Sequence, residues 1–252
     1  VRVEAGEYKD CAGSDLIIFA AGVNRRPGEN QADLLARNLS LLEKCLAGVG
    51  PRRDQTVLLV VSNPVEVMTY AARKLSGWPR EKVLGLGTVL ETSRFRNILG
   101  EHFKIVPSNI NAYVAGMHGA LAVPLWSAVN IAGVNLEQFC RLRNITGLDR
   151  REIYDRILIS AYDIAFHKGA SYFANSSAAV RVCRSILRDE NDVLTVCGAM
   201  DKFPGLEDVC LSFPSRLGRK GRKETLPLSL SAEETKALQR AAEAVRNLLK
   251  SS

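Results

Sequence analysis

Three short apolar runs, spaced by stretches of helical period, constrain this chain more than any other feature. "DLIIFAAG" (15–22), "TVLLVVSNP" (56–64) and "KVLGLG" (82–87) are dominated by Val, Ile and Leu and close on Gly, Asn or Pro. Unbroken apolar runs of this length suit strands buried on both faces, as in parallel sheets. Between the first two lies "NQADLLARNLSLLEKCLAGVG", apolar at helical spacing and ending in Gly. "PVEVMTYAARKLSG" follows the second strand, with Pro64 at the first helical position and Gly77 closing the helix. "TVLETSRFRNILGEHF" follows the third. The order βαβαβα predicts an α/β fold with a doubly wound parallel sheet. Ligands of such sheets bind beyond the carboxyl ends of the strands, here "AAGVNRRPGEN", "VSNP" and "GLGT".

After residue 87 the pattern changes. "YVAGMHG" and "AVPLWSAVNIAG" read as strands around a histidine turn. Residues 149–191 read as long helical sequence with a break near Lys168 and Gly169. "DVLTVCGAM", "DVCLSFP" and "TLPLSLS" read as three short antiparallel strands. "SAEETKALQRAAEAVRNLLKSS" is a final amphipathic helix, with Ser231 as N-cap and Glu234 completing a capping box. The expected division is residues 1–87, part of an α/β domain, and residues 88–252, an α+β domain.

Composition excludes more than it selects. No apolar run approaches the ~18 to 20 residues needed to cross a bilayer, and no signal peptide is recognisable at the start of the sequence. The six cysteines are scattered without a CxxC pair, which predicts reduced thiols, no metal site and a cytoplasmic setting. Much of the net charge of +7 lies in "RLGRKGRKE" (216–224). With no aromatic residue interleaved, this run is expected to be a solvated surface loop rather than a nucleic-acid site. Membrane binding is not expected either.

Four places carry candidate chemistry. "VNRRPGENQADLL" puts Arg25 and Arg26 on a Pro-Gly loop after a strand, able to close over an anionic substrate. "ETSRFR" puts Glu91 and Arg94 three residues apart on one helix face, and a guanidinium fork suits a carboxylate. His118 lies between Gly116 and Gly119, and an imidazole is suited to proton exchange near neutrality. Asn63 of "VSNP" ends a strand and can orient an amide or hydroxyl. Singly, each has a plainer reading: a basic turn, a surface ion pair, a structural histidine, a turn signal.

Their order is more specific than any one of them. The succession PGE, VSNPV, GTVLETSRFR, HG and VPLWS, continued by "HKGASYF" and the final helix, resembles the NAD-dependent L-lactate/malate dehydrogenase family, in particular its lactate branch. The resemblance implies a Rossmann-type dinucleotide-binding domain followed by a substrate domain, NAD as cofactor, a small 2-hydroxy/2-keto acid as substrate, and a homodimer or homotetramer. It implies that His118 exchanges the substrate proton, that Glu91 pairs with His118, and that Arg94 clamps the substrate carboxylate. Asn63 would hold substrate and nicotinamide. Gly22 and Val61 would contact the cofactor, and Ser171 would line the substrate pocket.

The sequence also departs from the family pattern. The arginine that closes the family's PGExR loop is Gln31 here, and a neutral amide cannot supply a guanidinium's charge; such a loss typically costs ~10² to 10³ in rate. Glu91 replaces an Asp, and Met117 and Ala120 replace the acids of GEHGD. Arg25 occupies a position that is Gln in lactate enzymes and Arg in malate enzymes, which makes malate the alternative substrate. Arg96 fits the arginine of a sugar-bisphosphate site, but Asn111 stands where its histidine would be. Residues 1–252 contain no GxGxxG turn ahead of the first strand, and "GLGTVL" sits at the wrong strand to replace it. The expectation is therefore the C-terminal part of a dinucleotide-binding domain, weak NAD binding by the chain as given, and an unpaired sheet edge. A fragment of a longer enzyme, a catalytically impaired paralogue and an interaction subunit all accommodate these departures.

Overall fold

The computed structural model describes residues 2–23, 28, 31–50, 52–168, 172–201 and 203–250, with the backbone alone for residue 31 and residues 160–168. The chain begins with the predicted alternation: β1 (Leu16–Phe19), α1 (Gln31–Gly48), β2 (Val57–Val60), α2 (Val65–Ser76), β3 (Val83–Gly85) and α3 (Val89–Phe103). β1, β2 and β3 pair in parallel. Pro64 is the N-cap of α2, one position earlier than expected, and Gly77 is its C-cap. β2 shows why the sequence lacks alternation. Leu58 and Val60 enter a core under α1 and α2, while Val57 and Leu59 enter another that includes Val182 and Ile186. A strand covered on both faces is apolar throughout.

The second half comprises β4 (Ile110–Asn111), β5 (Val114–Gly116), β6 (Ala122–Pro124), β7 (Asn130–Ile131), β8 (Val134–Asn135), α4 (Leu136–Leu142), α5 (Arg150–Lys168) and α6 (Tyr172–Leu187). Then come β9 (Val193–Leu194), β10 (Cys197–Ala199), β11 (Cys210–Ser212), β12 (Ser215–Gly218), β13 (Gly221–Thr225) and α7 (Ala232–Lys250). The predicted break between the two long helices falls at residues 169–171, outside the described residues. The α7 capping box is formed: Ser231 N–H donates to Glu234 at 2.8 Å, and Glu234 N–H to Ser231 Oγ at 3.1 Å.

The halves share one sheet. Its order is β1-β2-β3-β10-β11-β5-β6, with β10 antiparallel to β3 and β11 antiparallel to β5. This continuity brings the ends of β2 and β3 alongside the β5–β6 turn. Among the described residues β1 stands at one end of this strand order, with Ile18 about half exposed.

Two expectations are corrected. The basic run 216–224 is not a solvated loop: it forms most of the β12–β13 hairpin. Gly221, at φ +95°, makes the reversal possible and packs against the backbone of Glu81. Three of the run's charges are partnered, Arg216 with Glu224 at 2.6 Å, Lys223 with Asp189 at 2.9 Å, and buried Arg222 through the Ala199 carbonyl at 2.7 Å, while Arg219 and Lys220 are exposed at the turn. "TLPLSLS" is not a strand beyond Thr225. Pro227 has no N–H to donate to a ladder, and Leu228 and Leu230 instead pack on the main core.

Candidate active site

Buried hydroxyls fix α3 against β5. The Thr88 hydroxyl donates to the Val114 carbonyl at 2.5 Å, and the Val114 N–H donates to Thr92 Oγ1 at 2.9 Å. The Thr92 and Thr195 hydroxyls are 2.9 Å apart, and Thr88 N–H donates to the Thr195 carbonyl at 3.1 Å. Polar groups buried this deeply are costly to leave unpaired, so the register of helix on strand is held tightly. The first two turns of α3, which carry Glu91 and Arg94, are thereby set beside the strand that leads to His118.

The histidine turn joins β5 to β6. Gly116 has φ +87° and Gly119 φ +92°, so the glycines flanking His118 are conformational requirements. A Cβ on Gly116 would meet the Leu121 carbonyl at 2.7 Å. His118 Nδ1 lies 2.5 Å from Glu91 Oε1; Glu91 is buried, while the imidazole keeps 31 % of its surface exposed. The contact is that of an ion pair without directed hydrogen-bond alignment, and Glu91 Oε2 has no partner. Catalytic hydrogen bonds often tighten only when substrate binds. The Glu91 carboxylate beside the ring raises the His118 pKa above 6.5, against the opposing effects of burial and of Arg94. Arg94 is half-buried, and its Nη2 is buried without a hydrogen-bond partner. An unpaired guanidinium nitrogen near an imidazole and a carboxylate is a ready receptor for a substrate carboxylate.

Asn63 and Val61 line a small cleft together with His118, Val65, Leu86 and Leu90. Gly22 is exposed at the end of neighbouring β1. The loop around it is tied down from both sides: Ser62 donates to the Ala21 carbonyl at 2.5 Å, and Val23 N–H donates to Asn38 at 2.8 Å. His118, Glu91, Arg94, Asn63 and Val61 are thus brought together, with Gly22 one strand away. Arg25, Ser171 and the side chain of Gln31 lie outside the described residues.

Three residues escaped the sequence reading. Glu66 is fully buried and accepts the His118 backbone N–H at 2.9 Å. At the start of a helix it passes for an ordinary first-turn acid; its flanking Val65, Val67 and Met68 are the signal that it points inward. Asn175, from α6, lines the cleft. Tyr154, from α5, donates to the Ala120 carbonyl at 2.8 Å. Nothing local in the sequence marks either of these last two.

Comparison with known proteins gives a consistent result. Residues 1–85 match the family model for the lactate/malate dehydrogenase NAD binding domain, and residues 88–252 match that for the lactate/malate dehydrogenase alpha/beta C-terminal domain. An L-lactate dehydrogenase of Acetivibrio thermocellus is 39 % identical, over 99 % of this chain and 80 % of its own length. One from a Thermoanaerobacter species is 40 % identical, over 99 % of this chain and 81 % of its own. Among solved structures, a lactate dehydrogenase enzyme from a Medee basin deep-sea metagenome library superposes with TM-score 0.94 at 30 % identity, covering 98 % of this chain and 80 % of that one.

Proposed function

The chain belongs to the lactate/malate dehydrogenase family, and from that premise we propose that the residues around His118 carry out the NAD-dependent L-lactate dehydrogenase reaction, the interconversion of lactate and pyruvate. The observation that carries this reading is the His118–Glu91 contact beside Arg94, whose Nη2 is unpaired.

Bound NAD supplies the hydride chemistry at C2 of the substrate. The lining suits a nicotinamide chemically: Val61, Val65, Leu86 and Leu90 offer apolar contact to a ring face, and Asn63 and Asn175 offer carboxamides to a ring that bears one. Gly22, Val61 and Asn63 are the residues assigned to hold the cofactor. Arg94 grips the substrate carboxylate. Because Nδ1 of His118 faces Glu91, Nε2 is left for the substrate oxygen. During keto-acid reduction the imidazolium donates its Nε2 proton to the C2 oxygen. During hydroxy-acid oxidation the neutral ring takes the proton back. Glu91 stabilises the charged ring and fixes its tautomer.

Ser171, Gln31 and Arg25 complete the proposed substrate shell by resemblance. The relatives compared above are named L-lactate dehydrogenases, which favours pyruvate over oxaloacetate. In the same reading, residues 1–87 contribute to cofactor binding and residues 88–252 to substrate binding, in a cytoplasmic homodimer or homotetramer. The test is consumption of NADH, followed by absorbance, with pyruvate and with oxaloacetate. Turnover of pyruvate that disappears in His118→Gln is the expected result. Preference for oxaloacetate would overturn the substrate assignment, and absence of turnover with both would overturn the catalytic one.

A further inference from the structure

Three arginines that the mechanism above does not use meet at the carboxyl end of α2. Arg73 stands in the last turn of that helix, Arg80 lies in the turn after it, and Arg222 reaches in from β13. Only 16 % of the Arg73 side chain is exposed, yet its guanidinium makes no hydrogen bond among the described residues. Its Nη atoms lie 3.6 Å from Asp201 and 3.7 Å from Asp208, and its Nε is buried without a partner. Arg222 is 9 % exposed. Its Nη2 donates to the Ala199 carbonyl, while Nη1, packed where a side chain on Gly198 would otherwise stand, has no partner. Arg80 donates to Asp201 at 3.3 Å and is about half exposed.

Buried guanidinium N–H groups without acceptors are costly, so each calls for an explanation. Compensation of the helix dipole explains Arg73 and Lys74, since basic groups favour the carboxyl end of a helix. It does not explain Arg222, which comes from another element. Thiolates do not supply the missing negative charge. Arg73, Arg222 and Asp201 all act on the Cys210 thiol, but burial pushes that thiol up to about 12 and raises Cys197 as well, so both stay protonated near neutrality. Nor do the carboxylates suffice. The four cations Arg73, Lys74, Arg80 and Arg222 face the two anions Asp201 and Asp208, which leaves two positive charges uncompensated.

We propose that Arg73, Arg80 and Arg222 form a binding site for a phosphate-type oxoanion, free or carried as a phosphomonoester, where α2, β13 and the connection after β10 meet. Asp201 fills this place poorly. Its Oδ2 serves Arg80 at 3.3 Å and Arg73 at 3.6 Å, longer than the ~2.7 to 2.9 Å of a good charge-assisted hydrogen bond. A carboxylate has two oxygens and one charge, which Asp201 already offers. A tetrahedral oxoanion brings up to two charges and more acceptor oxygens. It can engage the forks of Arg73 and Arg80 together, while Arg222 adds its charge from the buried side. Half-exposed Arg80 leaves the site open to solvent.

The experiment is calorimetric titration of the full chain with inorganic phosphate, in a variant carrying Arg94→Gln so that the guanidinium of the candidate active site cannot contribute. Sodium chloride at equal ionic strength is the reference, because screening acts on any cluster of charges. Binding is expected with phosphate and not with chloride. Adding Arg73→Gln should weaken it by ~10-fold, the loss expected for one hydrogen bond to a charged group. Adding Asp201→Asn should tighten it instead, because the competing carboxylate is gone while the arginines remain. Heat that follows ionic strength alone overturns the proposal, as does a phosphate affinity that neither substitution changes. Should Arg73→Gln fail to fold, Asp201→Asn decides, and weaker or unaltered binding in that variant overturns the proposal. Repeating the titration with glycerol phosphate separates the two sources of the ligand. Tighter binding than that of phosphate assigns the site to phosphomonoesters, and weaker binding assigns it to the free ion. No turnover is read, so the outcome is independent of the reaction proposed for His118.

Discussion

α3 and α2 each bring one buried carboxylate to the histidine turn, and the two are used differently. Glu91 meets the imidazole itself and rides on a helix whose first two turns are locked to β5 by Thr88 and Thr92. Glu66 meets only the backbone of the same residue and shares its bonded oxygen with Ser212. The difference follows from distance. A carboxylate that touches the ring must be held to within a few tenths of an ångström, so its helix is fixed by directed bonds. A carboxylate acting through the backbone and through space tolerates a looser seat, because Coulomb interactions fall off gently while hydrogen bonds do not.

The comparison can be broken most directly at the site. His118→Gln removes the proton carrier and should lower kcat/KM for pyruvate by ~10³, or about 4 kcal/mol of transition-state stabilisation. Glu91→Gln should cost ~10², since the ring remains but loses its counter-charge. Glu66→Gln should cost less than either at its own optimal pH. Steady-state kinetics on the three variants gives the ranking, and a Glu66→Gln loss equal to that of Glu91→Gln would erase the distinction between direct and indirect carboxylates.

The next effect appears in stability. The Glu66 carboxyl titrates at about 7 in the folded chain against 4.5 when free. Between those values the folded state holds more protons than the unfolded one, so the free energy of unfolding falls as pH rises through that window. The full change is on the order of 3 kcal/mol. His118 acts in the same direction: its raised pKa stabilises the fold below 6.5, and this contribution is lost as pH rises through the folded value. Denaturant unfolding at a series of pH values should show a slope through neutrality that is shallower in Glu66→Gln. Parallel curves for the two proteins would mean that Glu66 does not titrate apart from its surroundings.

The two carboxylates also differ in how far they could be read from the sequence. Glu91 was legible because its spacing to Arg94 and the ordered motifs around it point to one site. Glu66 was not, since its role depends on β5 and α2 meeting across a sheet that crosses residue 87, and no local pattern encodes β3 pairing with β10. The parallel half could be read for a related reason: strands covered on both faces carry an unbroken apolar signal. The basic hairpin was misread because two of its charges, Lys223 and Arg216, are partnered by Asp189, in the turn after α6, and by Glu224 on the facing strand. A charge run looks solvated until its partners are known. Arg25 was proposed from its place on a basic Pro-Gly loop, and Gln31 and Ser171 from resemblance alone.

Thr92→Val sharpens the α3 side of the comparison. The substitution keeps the β-branched shape and removes the oxygen that accepts the Val114 N–H and meets Thr195. An unsatisfied buried N–H should cost ~1 to 3 kcal/mol of stability, with a fall in kcat because Glu91 shifts relative to the ring. Thr92→Ser should restore most of both. Loss of stability with kcat intact would show that the hydroxyl bonds hold the fold and not the ion pair.

The smallest expected effect tests whether two sides suffice. Tyr154 reaches the turn from α5 and donates to the Ala120 carbonyl at 2.8 Å, near the surface, where water can replace the phenol. Tyr154→Phe should therefore cost only about 0.5 kcal/mol, the low end for a single hydrogen bond. Because neither the Glu91 contact nor the Glu66 bond depends on that carbonyl, the His118 midpoint and kcat should stay close to those of the unsubstituted protein. A drop in kcat as large as that of Thr92→Val would make α5 a third support of the imidazole, and the contrast between α3 and α2 would describe only part of what holds it.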